Sequence, residues 1–454
     1  MEWMDLLPGM MFVAMAVLIF TGYPVAFVLG GIGLAFGLIG IGMDLFNVAK
    51  FGAVYGRIYG GSIENIVLVA IPMFIFMGVM LEKSGIAEDL LYTLQILTRA
   101  IPGSLALSVT LLGTILAATT GIIGASVVLL TLMALPIMQQ RGYSLPLACG
   151  TIAASGTLGI LIPPSIMLVL MADLMSVPVG TLFLGAIVPG LLLSGLYVVY
   201  IITVAIVRPS MAPKLGKDVG PRGAALAGMV LKTFLPPVFL VTLVLGSIFA
   251  GFATPTEAAG VGALGATLLA LFKRRLSLPV LRDVLYRSAL TNAMLFGIFV
   301  GATCFSYVFN RLGGHAFVEH LIYSLDIGPW GVLAMIMLVV FFLGFFIDWI
   351  EITLIVLPVF APIIAKLDFG GHIEAVAYVV PWFTILLAVN LQTSFLTPPF
   401  GFALFYMKGV APPGVKIQHI YLGIIPFVLL QMLGVGLCIL IPEIVTWLPV
   451  SVLG

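Results

Sequence analysis

Apolar residues run for about twenty positions at a time, over and over, along this chain; wound into a helix, a run of that length crosses the hydrocarbon core of a bilayer. Taken in order, the runs predict helices near 8–22, 24–42, 63–81, 144–172 and 179–207. A second set falls near 227–250, 254–272, 289–311, 375–408 and 419–446. Two longer runs, 105–138 and 329–366, carry glycine or acidic residues near their centres and fit helical hairpins that enter and leave on one side. Segments 86–99 and 315–326 are amphipathic and suit the interface. Composition agrees: 8% of the 454 residues are charged, against roughly 25% in soluble domains. The fold class is therefore an all-α polytopic membrane protein with about ten transmembrane helices plus two re-entrant helical hairpins. Its expected surroundings are lipid, with no nucleic acid. The start, "MEWMDLLPGM", is acidic and lacks a basic leader, so it reads as the approach to a first membrane helix. Cys149, Cys304 and Cys438 lie in separate apolar stretches and read as small core residues.

The two sets of spans repeat one pattern. "LLYTL" (90–94) matches "LIYSL" (321–325), and "LTLMALPIM" (130–138) matches "ITLIVLPVF" (352–360). "GILIPPSIMLVL" (159–170) matches "SFLTPPFGFALF" (394–405), with the paired prolines 235 positions apart. Each half holds five spans and one hairpin. An odd span count inserts the second half upside down, which is an inverted repeat. The halves are placed at 1–215 and 227–454, joined by a cytoplasmic linker at 216–226. Basic residues in 208–222 and 273–287 put both loops in the cytoplasm by the positive-inside rule. Counting outward from them places both termini on the far side.

Four elements are interrupted where the membrane is deepest. These are the turns "ATTGIIGAS" (118–126) and "GFFIDWIE" (344–351), and the breaks "SGTLGILIPPS" (155–165) and "NLQTSFLTPP" (390–399). Irregular backbone at that depth is tolerated only where it is buried or lines a cavity, so all four predict one shared place. Freed carbonyls and hydroxyls suit a hard cation such as Na⁺, and half-helix N-termini favour an anionic group. Asp348 and Glu351 lie three apart on one helical face, able to hold a cation, a proton or a polar solute group, or only to anchor the turn. Their counterparts in the first half are Ser126 and Leu129, so repeat symmetry does not demand the pair. Glu257 in "TPTEAAG" fits a capping box with Thr254. There is no phosphate-binding G-x-x-x-x-G-K-[ST] loop, no H-E-x-x-H and no Ser/His constellation at depth, so an enzyme is disfavoured.

At "AIPMFIFMGVMLEKSGIAEDLL" (70–91), "TTGIIGASVV" (119–128), "ALPIMQQRGYSLPLACGTIAASGTLGILIPPSI" (134–166), "ATPTEAAGVGALGA" (253–266) and "TSFLTPPFGF" (393–402), the chain resembles one family, in that family's order. It is the large membrane subunit of tripartite ATP-independent periplasmic (TRAP) transporters. The resemblance implies a scaffold domain plus a transport domain that moves as an elevator. It also implies Na⁺-coupled uptake of organic acids across the bacterial inner membrane, with no cofactor. Partners would be a small four-helix membrane subunit, for which this length leaves no room, and a periplasmic binding protein. Na⁺ ligands would come from Gly121, Gly124 and Ser126 with Ser155, Gly156 and Thr157, and from Asp348 with Thr393, Ser394 and Thr397. Candidates for the substrate wall are Thr120, Pro163, Pro164, Ser165, Glu351, Asn390, Gln392, Pro398 and Pro399. The alternatives are a stand-alone ion-coupled carboxylate carrier or exchanger with the same hairpins, and a channel. A channel would need continuous polar lining, whereas polarity here is confined to four patches.

Overall fold

The computed structural model describes residues 6–120, 123–214, 220–373, 376–398 and 401–453. The first half comprises α1 (Leu7–Phe20), α2 (Val25–Gly42), α3 (Val48–Ile58), α4 (Ala70–Lys83), α5 (Ile86–Thr98), α6 (Ser104–Thr120), α7 (Ile123–Gln140), α8 (Leu145–Thr157), α9 (Ile166–Met175) and α10 (Val179–Val207). The second comprises α11 (Ala224–Phe249), α12 (Pro255–Phe272), α13 (Leu278–Arg311), α14 (Gly314–Ser324), α15 (Gly328–Leu343), α16 (Trp349–Ile364), α17 (Val379–Leu396), α18 (Phe402–Val410) and α19 (Ile417–Leu440). A short α20 (Glu443–Leu453) follows. Regular structure among the described residues is helical, as expected for a chain that must satisfy its backbone without water. Among the described residues, eight helices are long and apolar enough to cross a membrane, or nine if one bent pair is a single span. The chain is a multi-pass membrane protein.

Three boundaries differ from the sequence reading, each for a physical reason. The span expected at 63–81 begins at Val48, because α3 runs through a π turn at Tyr59–Ile63 and then bends by 50° into Val67–Lys83. Gly60 and Gly61 favour no helix strongly, and Asn65 turns the chain by accepting the Val67 N–H at 3.0 Å. The helix expected at 289–311 starts at Leu278, capped by Ser277. Its first turns carry charges that hydropathy reads as loop. Those charges pair with α4: Arg287 with Glu82 at 3.0 Å and Lys83 with Asp283 at 2.8 Å. The last predicted helix splits in two at Pro442. The box at Thr254 is formed as expected, with Glu257 Oε2 accepting the Thr254 N–H at 2.8 Å.

Two groups of helices organise the molecule. In one, α2 lies along α13 and α4 along α12. In the other, α8 and α17 occupy the centre, with α8 against α6, α7 and α19, and α17 against α10, α15 and α19. Lipid offers little hydrophobic drive between apolar helices, so close approach through small residues matters more. A β-carbon on Gly301 of α13 would lie 2.3 Å from the Ala26 carbonyl oxygen of α2. One on Gly150 of α8 would lie 2.0 Å from the Gly423 carbonyl oxygen of α19. One on Gly423 would in turn lie 2.1 Å from the Pro146 carbonyl oxygen. Outside the spans, Lys366 donates to Glu319 at 2.7 Å, which ties α14 to the foot of α16 and holds the Glu319 carboxyl below its usual range.

Backbone cannot change rotamer to make room, so Gly150→Ala should lower stability by roughly 1–3 kcal/mol through overpacking. Gly195→Ala, with open space around it, should be neutral or stabilising by up to about 1 kcal/mol. Melting midpoints of the purified variants in one detergent check the pair; equal midpoints would show that the α8–α19 contact is looser than described.

Candidate functional site

The second hairpin turns between Leu343 and Trp349. Asp348 is the N-cap of α16, its Oδ1 accepting the Trp349 N–H at 2.8 Å. Glu351 follows within the first helical turn, where the helix dipole favours negative charge. It is only 6% exposed, and its Oε2 has no hydrogen-bond partner among the described residues. Gly344 permits the turn to seat against α17, since a β-carbon there would lie 1.8 Å from Ser394 Oγ.

Each central helix ends at an interruption of the chain. α8 ends at Thr157, passes a single 3₁₀ turn, then Pro163 and Pro164, and α9 restarts with Ser165 as its cap. Ser165 accepts the Leu168 N–H at 3.4 Å and donates to the Ile160 carbonyl, so one hydroxyl serves both sides of the break. α17 ends at Leu396, Thr397 is extended, and α18 restarts at Phe402. Helix ends strand their last carbonyls, and hydroxyls gather at both. Ser155 Oγ donates to Thr110 Oγ1 on α6 at 3.3 Å, and Thr157 to the Ala154 carbonyl at 2.9 Å. Asn390 donates to the Met337 carbonyl on α15 at 2.8 Å, Thr393 to Asn390 at 2.6 Å and Thr397 to Thr393 at 2.6 Å. Ser394 Oγ and both polar atoms of the Gln392 side chain are buried without partners among the described residues. Carbonyl and hydroxyl oxygens of this kind fit a hard cation.

The two halves cross at these points. Each central helix packs on the hairpin of its own half, but the helix leaving each break packs on the other hairpin: α9 on α16 and α18 on α7. Between these elements and a wall made by α2, α4 and α13 lies a cavity of about 320 Å³. Gly124, Asp348, Trp349, Glu351, Phe402 and Tyr406 line it on one side and Thr291 to Ile298 on the other. The α13 residues of that wall sit midway along the helix, beyond its charged first turns. A larger recess of about 620 Å³ opens further along α13, with Arg57, Asn65, Asp173, Tyr307 and Arg311 in its wall. There Asn65 donates to Asp173 at 2.8 Å, tying the bent helix to α9.

Of the residues singled out from sequence, the cavity brings together Gly124, Asp348 and Glu351. Ser126, Ser155, Gly156, Thr157, Pro163, Pro164 and Ser165 are buried and do not line it. Asn390, Gln392, Thr393 and Ser394 are buried in α17, while Thr397 and Pro398 are half-buried at its end. Gly121 and Pro399 lie outside the described residues, and only the backbone of Thr120 is described. Sequence reasoning missed Tyr406 and Thr291. Tyr406 was signalled by its place one turn beyond a break; its ring lies 3.1 Å from where a Gly124 β-carbon would be. Thr291 carried no signal in an apolar helix.

The family model described as tripartite ATP-independent periplasmic transporter, DctM component, matches residues 12–444. The C4-dicarboxylate TRAP transporter large permease protein DctM of Pseudomonas aeruginosa is 30% identical over 393 residues, covering 85% of this chain and 87% of that protein. The sialic acid TRAP transporter large permease protein SiaM of Vibrio cholerae is 27% identical, covering 96% of this chain and 97% of that one. In structure, the chain resembles the YdaH transporter of Alcanivorax borkumensis, with a TM-score of 0.62 at 16% identity, covering 88% and 89% of the two chains. An all-helical chain with paired hairpins and broken helices, matched by this family's model over nearly its whole length, belongs to the DctM family of TRAP transporter large permease subunits and is a transporter component, not an enzyme.

Proposed function

We propose that this chain moves a small solute across the bacterial inner membrane by Na⁺-coupled uptake, with both termini on the periplasmic side. A periplasmic binding protein delivers the solute, and a small four-helix membrane subunit completes the assembly. The transport domain comprises α6–α9 and α15–α18 and carries both hairpins and both breaks. It slides as an elevator against a scaffold of α1–α4 and α11–α13, the two halves forming an inverted repeat. The observation that carries this reading is the cavity, where both hairpin tips and both outgoing half-helices face one wall of α2, α4 and α13. The pairing of α2 with α13 and of α4 with α12 supports the repeat, since exchanging the halves exchanges those pairs. The oxygen clusters at the ends of α8 and α17 support a coupled hard cation, held at the negative ends of two helix dipoles. The relatives' names range from C4-dicarboxylate to sialic acid and ectoine. That spread supports a common frame whose solute is chosen by a few cavity residues and by the binding protein.

In proteoliposomes holding both membrane subunits, uptake of solute should require an inward Na⁺ gradient and the loaded binding protein. Uptake that persists without either one would overturn the coupling. Asp348→Ala should reduce uptake at least about tenfold, or roughly 1.4 kcal/mol of lost stabilisation, with an unchanged elution profile. Asp348→Asn separates charge from capping, because Asn caps a helix as well as Asp does. It should fail like Asp348→Ala; full activity of Asp348→Asn would leave Asp348 as a cap alone.

A further inference from the structure

We infer that the recess of about 620 Å³ near the C-terminal end of α13 binds a phosphate-type oxyanion, gripped by Arg57 and Arg311. The ligand is a lipid phosphodiester headgroup or free inorganic phosphate. The site is separate from the cavity at the hairpin turns, with which its described lining shares no residue. The recess holds two guanidiniums, which stay ionised at any physiological pH. Against them stands one carboxylate, Asp173, whose Oδ1 accepts from Asn65 at 2.8 Å. Whether or not Asp173 carries a proton, the recess keeps a net positive charge. Its position makes that charge unusual. Arg311 ends a helix of 34 residues, about 50 Å long, whose other end is the basic loop 273–287. The positive-inside rule gathers cations at one membrane face and thins them at the opposite one. Two arginines sharing a recess at the far end of α13 therefore need a local reason.

The donors point the same way. Thr303, Ser306, Tyr307 and Asn310 recur three and four residues apart, which sets them with Arg311 on one face of α13. Hydroxyls elsewhere in these helices close onto the carbonyl four residues back, as Thr131 does at 2.6 Å and Thr267 at 2.8 Å. Thr303 and Ser306 make no such bond among the described residues, and the side chains of Asn310 and Arg57 find no partner there either. Arg311 is held ready. Its Nε donates to the Tyr307 hydroxyl at 3.1 Å, and its guanidinium carbon lies 5.2 Å from the centre of that ring. Tyr307 is itself fixed by donating to the Lys50 carbonyl at 2.6 Å. The terminal N–H groups of Arg311 are left for a ligand. A planar carboxylate matches one guanidinium fork, whereas a tetrahedral oxyanion presents oxygens to forks arriving from α3 and α13 together. The volume exceeds that of a bare ion and leaves room for the substituents of a diester.

Melting midpoints of the purified chain in an uncharged detergent read the site without requiring transport. Inorganic phosphate at about 50 mM should raise the midpoint by about 2 °C over chloride of equal ionic strength, and acetate should give less than half of that rise. Phosphatidylglycerol should give the same rise at about a hundredfold lower concentration if the headgroup is the occupant, and none if the free ion is. Arg57 holds no hydrogen bond or ion pair among the described residues. Arg57→Gln should therefore keep the midpoint in chloride and lose the rise. Arg57→Lys keeps the charge and should retain at least half of the rise, which separates a lost charge from a lost fold. Arg282→Gln, near the other end of α13, should retain all of it. A rise undiminished in Arg57→Gln, a rise as large with acetate, or no rise with either phosphate source would each overturn the proposal.

Discussion

A helix that stops inside an apolar layer strands its last carbonyls, and most of this molecule can be understood as the accommodation of two such stops. α8 and α17 both end at interruptions buried among other helices. Neither end could face lipid, because unpaired backbone there costs several kcal/mol per group. Both helices are therefore buried almost completely, and their neighbours approach through glycine: Gly113 against Ser155, Gly344 against Ser394 and Gly150 against Gly423. The hairpins supply the remaining cover, since a chain that turns back within the membrane can reach a stranded end from the same side.

This constraint explains what was legible from the residues alone. Long apolar runs, doubled prolines and glycine-rich turns are local signals, so the helical class and the two proline breaks could be read directly. Which helix packs on which could not, because the exchange of α9 and α18 onto the opposite hairpins is a long-range arrangement with no local mark. Charge also misled the reading at one boundary. Arg282, Asp283 and Arg287 look like loop, yet they extend α13 because Glu82 and Lys83 meet two of them across the gap. Such exposed pairs contribute only about 0–1 kcal/mol each, enough to choose a partner for a helix that already exists.

The two openings along α13 differ in character. The recess nearer its C-terminus carries Arg57 and Arg311 beside Asp173, whereas the cavity at its midpoint carries carboxylates and aromatic rings. Helices of the central group form part of both walls. The two openings thus present different charge environments, and the difference lies in side chains.

The contact between α8 and α19 has a mechanical side. Where Gly150 meets Gly423, main chain touches main chain, with almost no side chain between them to turn, flatten or swing aside. A joint of that kind has no soft coordinate, so α8 and α19 transmit displacement as one stiff rod.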